Sequence, residues 1–222
     1  MPSNIPCPGT VVLAGTVNSM LVWINGAFGS GKTHTAHELH RRHGRGRVAD
    51  PEILGYAMHK MLPRSARGDF QDLPQWRSGV ADTLEQAAAA NDGPVFVPMT
   101  VVRAQYFDET VGELRRRGTD VRHFTLAASR RTLEHRLSSR VSSMGARLLR
   151  RDETWAHAQI DRCRSALAAE AFGLHIDTDD RTLDDVVETI AAHLHLDLPK
   201  GRLSRPAAAL RRVEVAVRHI RL

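Results

Sequence analysis

Trp23-Ile24-Asn25-Gly26-Ala27-Phe28-Gly29-Ser30-Gly31-Lys32-Thr33 carries the spacing G-x-x-x-x-G-K-S/T, directly after an apolar run and directly before a helical pattern. Glycines at 26, 29 and 31 allow positive φ, so consecutive amides turn inward around an anion. Lys32 adds a point charge near the β and γ phosphates, and the Thr33 hydroxyl is placed to ligate Mg²⁺. The helix that begins here brings its N-terminal dipole to the same anion. Strand, glycine loop and helix in this order predict a nucleoside triphosphate site. Its contacts are Gly26, Ala27, Phe28, Gly29, Ser30, Gly31, Lys32 and Thr33.

Outward from the loop, the pattern alternates strands and helices. Thr33–His43 reads as a helix with Ala36 and Leu39 inward, and His34, His37, His40 and His43 on a solvated face. Arg47-Val48-Ala49 reads as a second strand ending at Asp50-Pro51-Glu52. Ligands of open parallel sheets gather at the carboxyl ends of strands, so Asp50 is a candidate to accept a proton from an acceptor hydroxyl or to hold a metal-bound water. Asp before Pro is equally a helix N-cap, and the two readings are compatible. Pro51–Met61 reads as a helix, Pro63–Asp72 as a substrate-side loop containing Asp69 and Phe70, and Pro74–Ala90 as a helix. Arg77 near that helix's start calls for a compensating anion, either substrate or Asp69.

Pro94–Met99 is apolar on both faces, as a buried parallel strand should be. Many phosphate-loop enzymes end such a strand in a metal-binding Asp. Here Pro98-Met99-Thr100 follows, leaving Thr100 to orient water and Arg103 to reach substrate. Tyr106–Arg117, Arg130–Val141, Thr154–Ala169 and Leu183–Leu194 read as helices, the last capped by Thr182. Val121–Ala127 and Phe172–Ile176 read as strands. Arg136 and Arg140 share one helix face, Ser142–Asp152 reads as an irregular arginine-rich lid, and Arg162 lies beside Gln159 at its base. These arginines are candidates to stabilise charge during phosphoryl transfer. The fold expectation is α/β: a three-layer P-loop NTPase or kinase-like fold, with a five-stranded parallel sheet, helices on both faces and a lid.

With 222 residues the chain can bury one sizeable core, placed at residues 20–195. Residues 1–19 read as a flexible tail or a start-site artefact, and Leu196–Ser204 as a linker. Beyond it Leu210, Val213, Val217 and Ile220 form an apolar stripe beside arginines across 205–221. Such a helix either lies on an anionic membrane or packs on the core. A net charge of +6 and pI near 10.1 favour anionic ligands. No basic patch interleaved with aromatics supports nucleic acid. Two cysteines, Cys7 and Cys163, are too few for a disulfide framework, which points to a reducing cytoplasm. No run approaches the about 18 apolar residues of a membrane span.

From about Met20 onward the chain resembles the bacterial tunicamycin-resistance proteins. The matching stretches are Trp23–Thr33, Asp50-Pro51-Glu52, Asp69-Phe70-Gln71 with Trp76-Arg77, Val97–Thr100, His123–Leu126 and Gln159–Cys163. The resemblance implies ATP binding, recognition of the nucleoside antibiotic tunicamycin and peripheral membrane attachment through the C-terminal helix. Related small-molecule kinases imply phosphorylation of a sugar hydroxyl, with Asp50 matching their strand-two acid. The alternatives are ATP-dependent sequestration of the drug without chemistry, or a small-molecule kinase with another substrate.

Overall fold

The computed structural model describes residues 20–143 and 150–218. Five strands, β1 Leu21–Gly26, β2 Arg47–Val48, β3 Val95–Pro98, β4 Val121–Ala127 and β5 Leu174–Asp177, form one sheet in the order β2-β3-β1-β4-β5. All pairs are parallel, and Trp23 in the central strand aligns with Val97 on one side and His123 on the other. Six of six β1 residues are buried, so alternation sends side chains into two cores rather than to core and water. Leu21 and Trp23 enter one core, Val22 and Ile24 the other.

The second core is closed by α1 (Lys32–His43), through Ala36 and Leu39, and by the later helix Leu183–Leu194, through Val187 and Ile190. The first is closed by Trp76 and Leu84 of the helix Pro74–Ala89 and by Leu133 and Ile160 further along. In chain order the remaining helices are α2 (Glu52–Met61), α3 (Pro74–Ala89), α4 (Ala104–Phe107), α5 (Glu113–Arg116), α6 (Arg130–Ser143), α7 (Arg150–Leu167), α8 (Leu183–Leu194) and α9 (Arg205–Arg218). Among the described residues, no helix is long and apolar enough to cross a membrane. Three layers with helices on both faces match the expectation.

Four local readings are revised. The helix expected from Tyr106 begins at Ala104 and widens into a π-helical turn at Asp108–Gly112 between α4 and α5. There the Thr110 hydroxyl donates to the carbonyls of Tyr106 at 2.8 Å and Phe107 at 3.2 Å, competing with the regular ladder. Of the segment read as an irregular lid, residues 142 and 143 continue α6 and residues 150–152 open α7; residues 144–149, with Arg147, lie outside the described residues. Residues 1–19 and Ile220 lie outside them too.

The third revision concerns the histidine face of α1, which is covered rather than solvated. His43 Nδ1 lies 2.9 Å from the Asp197 carbonyl and His34 Nε2 lies 3.4 Å from that of Arg212. Burial, the largest influence, pushes the His40 imidazole below its ordinary value. Arg42, buried beside them, donates to Glu188 at 2.9 Å, to Asp184 at 3.3 Å and to the Lys200 carbonyl at 3.3 Å. The Arg202 and Arg42 guanidiniums together hold the Glu188 carboxyl down at about 2. The stretch read as a linker is thereby strapped along α1, with Leu196 and Leu198 against the second core. Fourth, α9 packs through Val215, whereas Leu210 and Val213 of the expected stripe are exposed. The side chain of Val217 lies outside the described residues.

His123 gives this core a pH dependence. Its ring sits 4.5 Å from that of Phe107 and is buried, and burial, with the positive charge of Arg115 and His175 adding to it, pushes the imidazole down to about 3. The folded value lies below the unfolded value of 6.5, so the unfolded chain binds the proton more readily. The associated stability is complete above 6.5 and lost as pH falls toward 3, at up to about 1.4 kcal/mol per pH unit. Denaturant unfolding at about pH 7.5 and about pH 5 should show a smaller pH effect in His123→Phe than in the parent. Equal effects would remove His123 as the cause.

Candidate functional site: two cavities at the phosphate loop

The end of β1 is tied down before it turns. Asn25, fully buried, accepts from the amides of Gly26 at 2.8 Å and Val101 at 3.1 Å and donates to the Val101 carbonyl at 2.9 Å. Thr100 adds a hydroxyl bond to the Gly26 carbonyl at 2.9 Å. Gly26 takes φ 148°, and a Cβ there would fall 2.5 Å from Ser30 Oγ, so the loop has no room for a side chain at that position. Gly31, at φ 98°, caps α1 with nothing within 4 Å of its Cβ position, leaving the helix N-terminus open. Lys32 Nζ donates to the Ala27 carbonyl at 3.1 Å and stands 5.6 Å from the centre of the Phe28 ring.

Two cavities flank this loop. The first, about 350 Å³, is lined by Gly29 through Thr35, Arg136, Thr178, Arg181, Thr182 and Arg212, among others. Lys32 and three arginines border it and, among the described residues, no Asp or Glu does. Arg136 is held by the Thr178 hydroxyl at 3.0 Å and carbonyl at 2.8 Å, with the Ser30 carbonyl at 3.4 Å, and burial lowers its pKa from the ordinary arginine range. Open helix N-terminus, loop amides and four cations together suit a polyanion.

The second cavity, about 340 Å³, is lined by Phe28, Glu52, Tyr56, His59, Asp69, Phe70, Gln71, Met99 and Thr100, together with Gly68. Phe70 is the hub, with ring centres 6.0 Å from Tyr56, 5.6 Å from His59 and 5.2 Å from Trp76. Gly55 lets it approach α2, since a Cβ there would sit 2.5 Å from the ring. Asp69 caps its own turn, accepting from the Gln71 amide at 3.0 Å. Glu52, Tyr56 and His59 were not anticipated. Their spacing of four and three residues places them on one stripe of α2, and that was the signal available in the sequence.

The remaining candidates sit elsewhere. Asp50 does not line the cavity; its Oδ1 accepts from the Glu52 amide at 2.9 Å, the capping geometry that Asp-Pro suggested. Arg77 pairs with Glu109 rather than with Asp69, donates to the Gln71 carbonyl and stacks 4.2 Å from the centre of the Tyr106 ring. It props the loop that forms the cavity wall from behind. Arg103 pairs with Asp72 at 3.0 Å and, like Arg77, lies outside the cavity lining. Arg162 is exposed and donates to Gln159 at 3.1 Å, bordering neither cavity. The side chain of Arg140 lies outside the described residues.

The sheet order, the loop at its central strand and the cavities on either side define a kinase-like P-loop protein. Residues 21–169 match the model of a family described as an AAA domain. Among solved structures the chain is similar to the tunicamycin resistance protein of Deinococcus radiodurans, with 33% identity over 82% of this chain and 98% of that one, at TM-score 0.67. The chain belongs to the tunicamycin-resistance protein family, within the kinase-like P-loop proteins. The fold alone is shared with the APS kinase of Mycobacterium tuberculosis in complex with AMPPNP and APS (17% identity, 79% and 97% coverage, TM-score 0.50). It is shared likewise with the shikimate kinase of Bacteroides thetaiotaomicron (17%, 80% and 99%, 0.52). None of the curated proteins matches the chain in sequence.

Proposed function

We propose that the protein is an ATP-dependent phosphotransferase of the cytoplasm that binds tunicamycin or a related nucleoside and phosphorylates one of its sugar hydroxyls. One observation carries the reading: a cationic cavity with no acid among its described lining residues and an aromatic, carboxylate-bearing cavity meet at consecutive residues, Gly29 and Phe28, with Lys32 of the first beside the Phe28 ring of the second. A bisubstrate transfer needs that arrangement, because the phosphoryl donor and the hydroxyl must be brought together while water is kept out. The relative's name supplies the antibiotic.

ATP, with Mg²⁺, supplies the transferable phosphoryl group when bound. The first cavity suits it, and Thr33 beside Lys32 would hold the cation, which keeps few protein ligands in sites of this kind. The loop amides and Lys32 hold the triphosphate, and Arg136 stabilises its charge. The aromatic rings of Phe28, Tyr56 and Phe70 receive the acceptor and exclude water. Glu52, which lines that cavity, accepts the hydroxyl proton, while Asp50 fixes the turn that carries Glu52. Incubation with Mg-ATP and tunicamycin should yield an antibiotic heavier by one phosphoryl group in mass spectrometry. Unmodified drug, with both ligands shown to bind, would instead establish sequestration.

The outward face of α9, where Leu210 and Val213 are exposed near Arg205, supports peripheral contact with an anionic membrane. Sedimentation with anionic vesicles should weaken in Leu210→Glu; equal sedimentation would reject that contact.

A further inference from the structure

The matched family region ends at residue 169, so α8 and α9 lie beyond it. Nevertheless α9 reaches the phosphate loop. Arg212 lines the first cavity, and its carbonyl lies 3.4 Å from Nε2 of His34, the residue that follows Thr33. The helix is seated there by Val215, which is 2% exposed. Behind it Ala208 and Arg211 line a groove of about 350 Å³ with His37 and Glu38 of α1, so only part of the α1–α9 boundary is filled.

The charge pattern gives this seating a consequence. Docking α9 adds Arg212 to a cavity bordered by Lys32, Arg136 and Arg181 and, among the described residues, by no carboxylate, while Arg212 also borders the adjoining groove with Glu38 and Asp184. Within the cavity the four cations repel one another, and a polyanion there compensates all four at once. We propose that α9 is a wall of the nucleotide site, that Arg212 binds the bound nucleoside triphosphate, and that occupancy of the site and docking of α9 stabilise each other. The coupling is reciprocal: a helix that strengthens binding is itself held down by the ligand. The inference rests on the reading of the first cavity as a nucleoside triphosphate site, and it is independent of whether phosphoryl transfer follows.

Calorimetric titration with Mg-ATP tests it. Arg212→Ala should bind about fivefold more weakly, the low end for site coupling because Arg212 is exposed and screened. Arg212→Lys should recover most of the loss, and the deficit of Arg212→Ala should shrink in high salt. In the parent, hydrogen exchange of residues 205–216 should slow when ATP is added and should slow less in Arg212→Ala. Unchanged affinity in Arg212→Ala, or exchange of α9 that ignores ATP, would overturn the coupling while leaving the nucleotide site intact. Failure of the parent to bind ATP would overturn both readings.

Discussion

Lys32→Ala should reduce the proposed phosphoryl transfer by about 10²–10³-fold, the loss expected when one preorganised cation or donor is removed from developing charge. Lys32 is the residue that connects the two cavities. It lines the first cavity, is held by the Ala27 carbonyl at 3.1 Å, and stands 5.6 Å from the ring of Phe28, which lines the second. The surrounding loop is held by Asn25, Thr100 and the Ser30–Ala27 backbone bond, so the variant keeps its fold and circular dichroism should be unchanged. The loss should fall mainly on kcat, because on the proposed reading the loop amides and Arg136 would still hold the triphosphate. Transfer within tenfold of the parent would remove Lys32 from the chemistry.

The second large effect separates two carboxylates that the chain places two residues apart. Glu52→Gln should lower kcat by about 10²–10⁴-fold, the range for loss of a general base, with ATP affinity retained. Asp50→Asn should cost less than about tenfold, because an amide oxygen accepts the Glu52 N–H as the Asp50 carboxylate does at 2.9 Å. The paired substitution is informative because asparagine preserves the cap while abolishing the base. A large loss in Asp50→Asn with an intact turn would return the proton to Asp50, the assignment that strand-end position and resemblance suggest. Single-turnover kinetics at saturating Mg-ATP measures the step directly.

Much of the architecture was legible in the chain because the decisive features are local. β1 and the glycine loop are contiguous, and the loop's chemistry depends on backbone freedom at Gly26, Gly29 and Gly31, which composition states outright. The boundaries of β4 and α8 were also readable, the latter from Thr182, whose hydroxyl caps Asp185 N at 3.2 Å in a reciprocal box. The aromatic cavity was half legible. Asp69 and Phe70 were found by their place in a polar loop, but Tyr56 and His59 resembled an ordinary exposed helix face until Phe70 packed against them.

Polar residues were the hardest to place, since their pattern cannot say whether a face meets water or another polar segment. The histidines of α1 looked solvated, yet residues 197–202 and α9 lie over them, and Arg42 is buried by finding Asp184 and Glu188 some 140 residues away, |i−j| being 142 and 146. Arg77 called for an anion, and only folding showed that Glu109 supplies it.

The sequence by itself determined a parallel α/β sheet with a phosphate loop at the end of its buried first strand, because a contiguous run of apolar residues, glycines and one lysine specifies strand, turn and charge together. Tertiary structure alone decided that Glu52 rather than Asp50 borders the aromatic cavity, and that Arg212 borders the cationic cavity at the phosphate loop. Both depend on how helices dock. Such docking is set by burial and charge pairing between segments far apart in the chain, which no local pattern records.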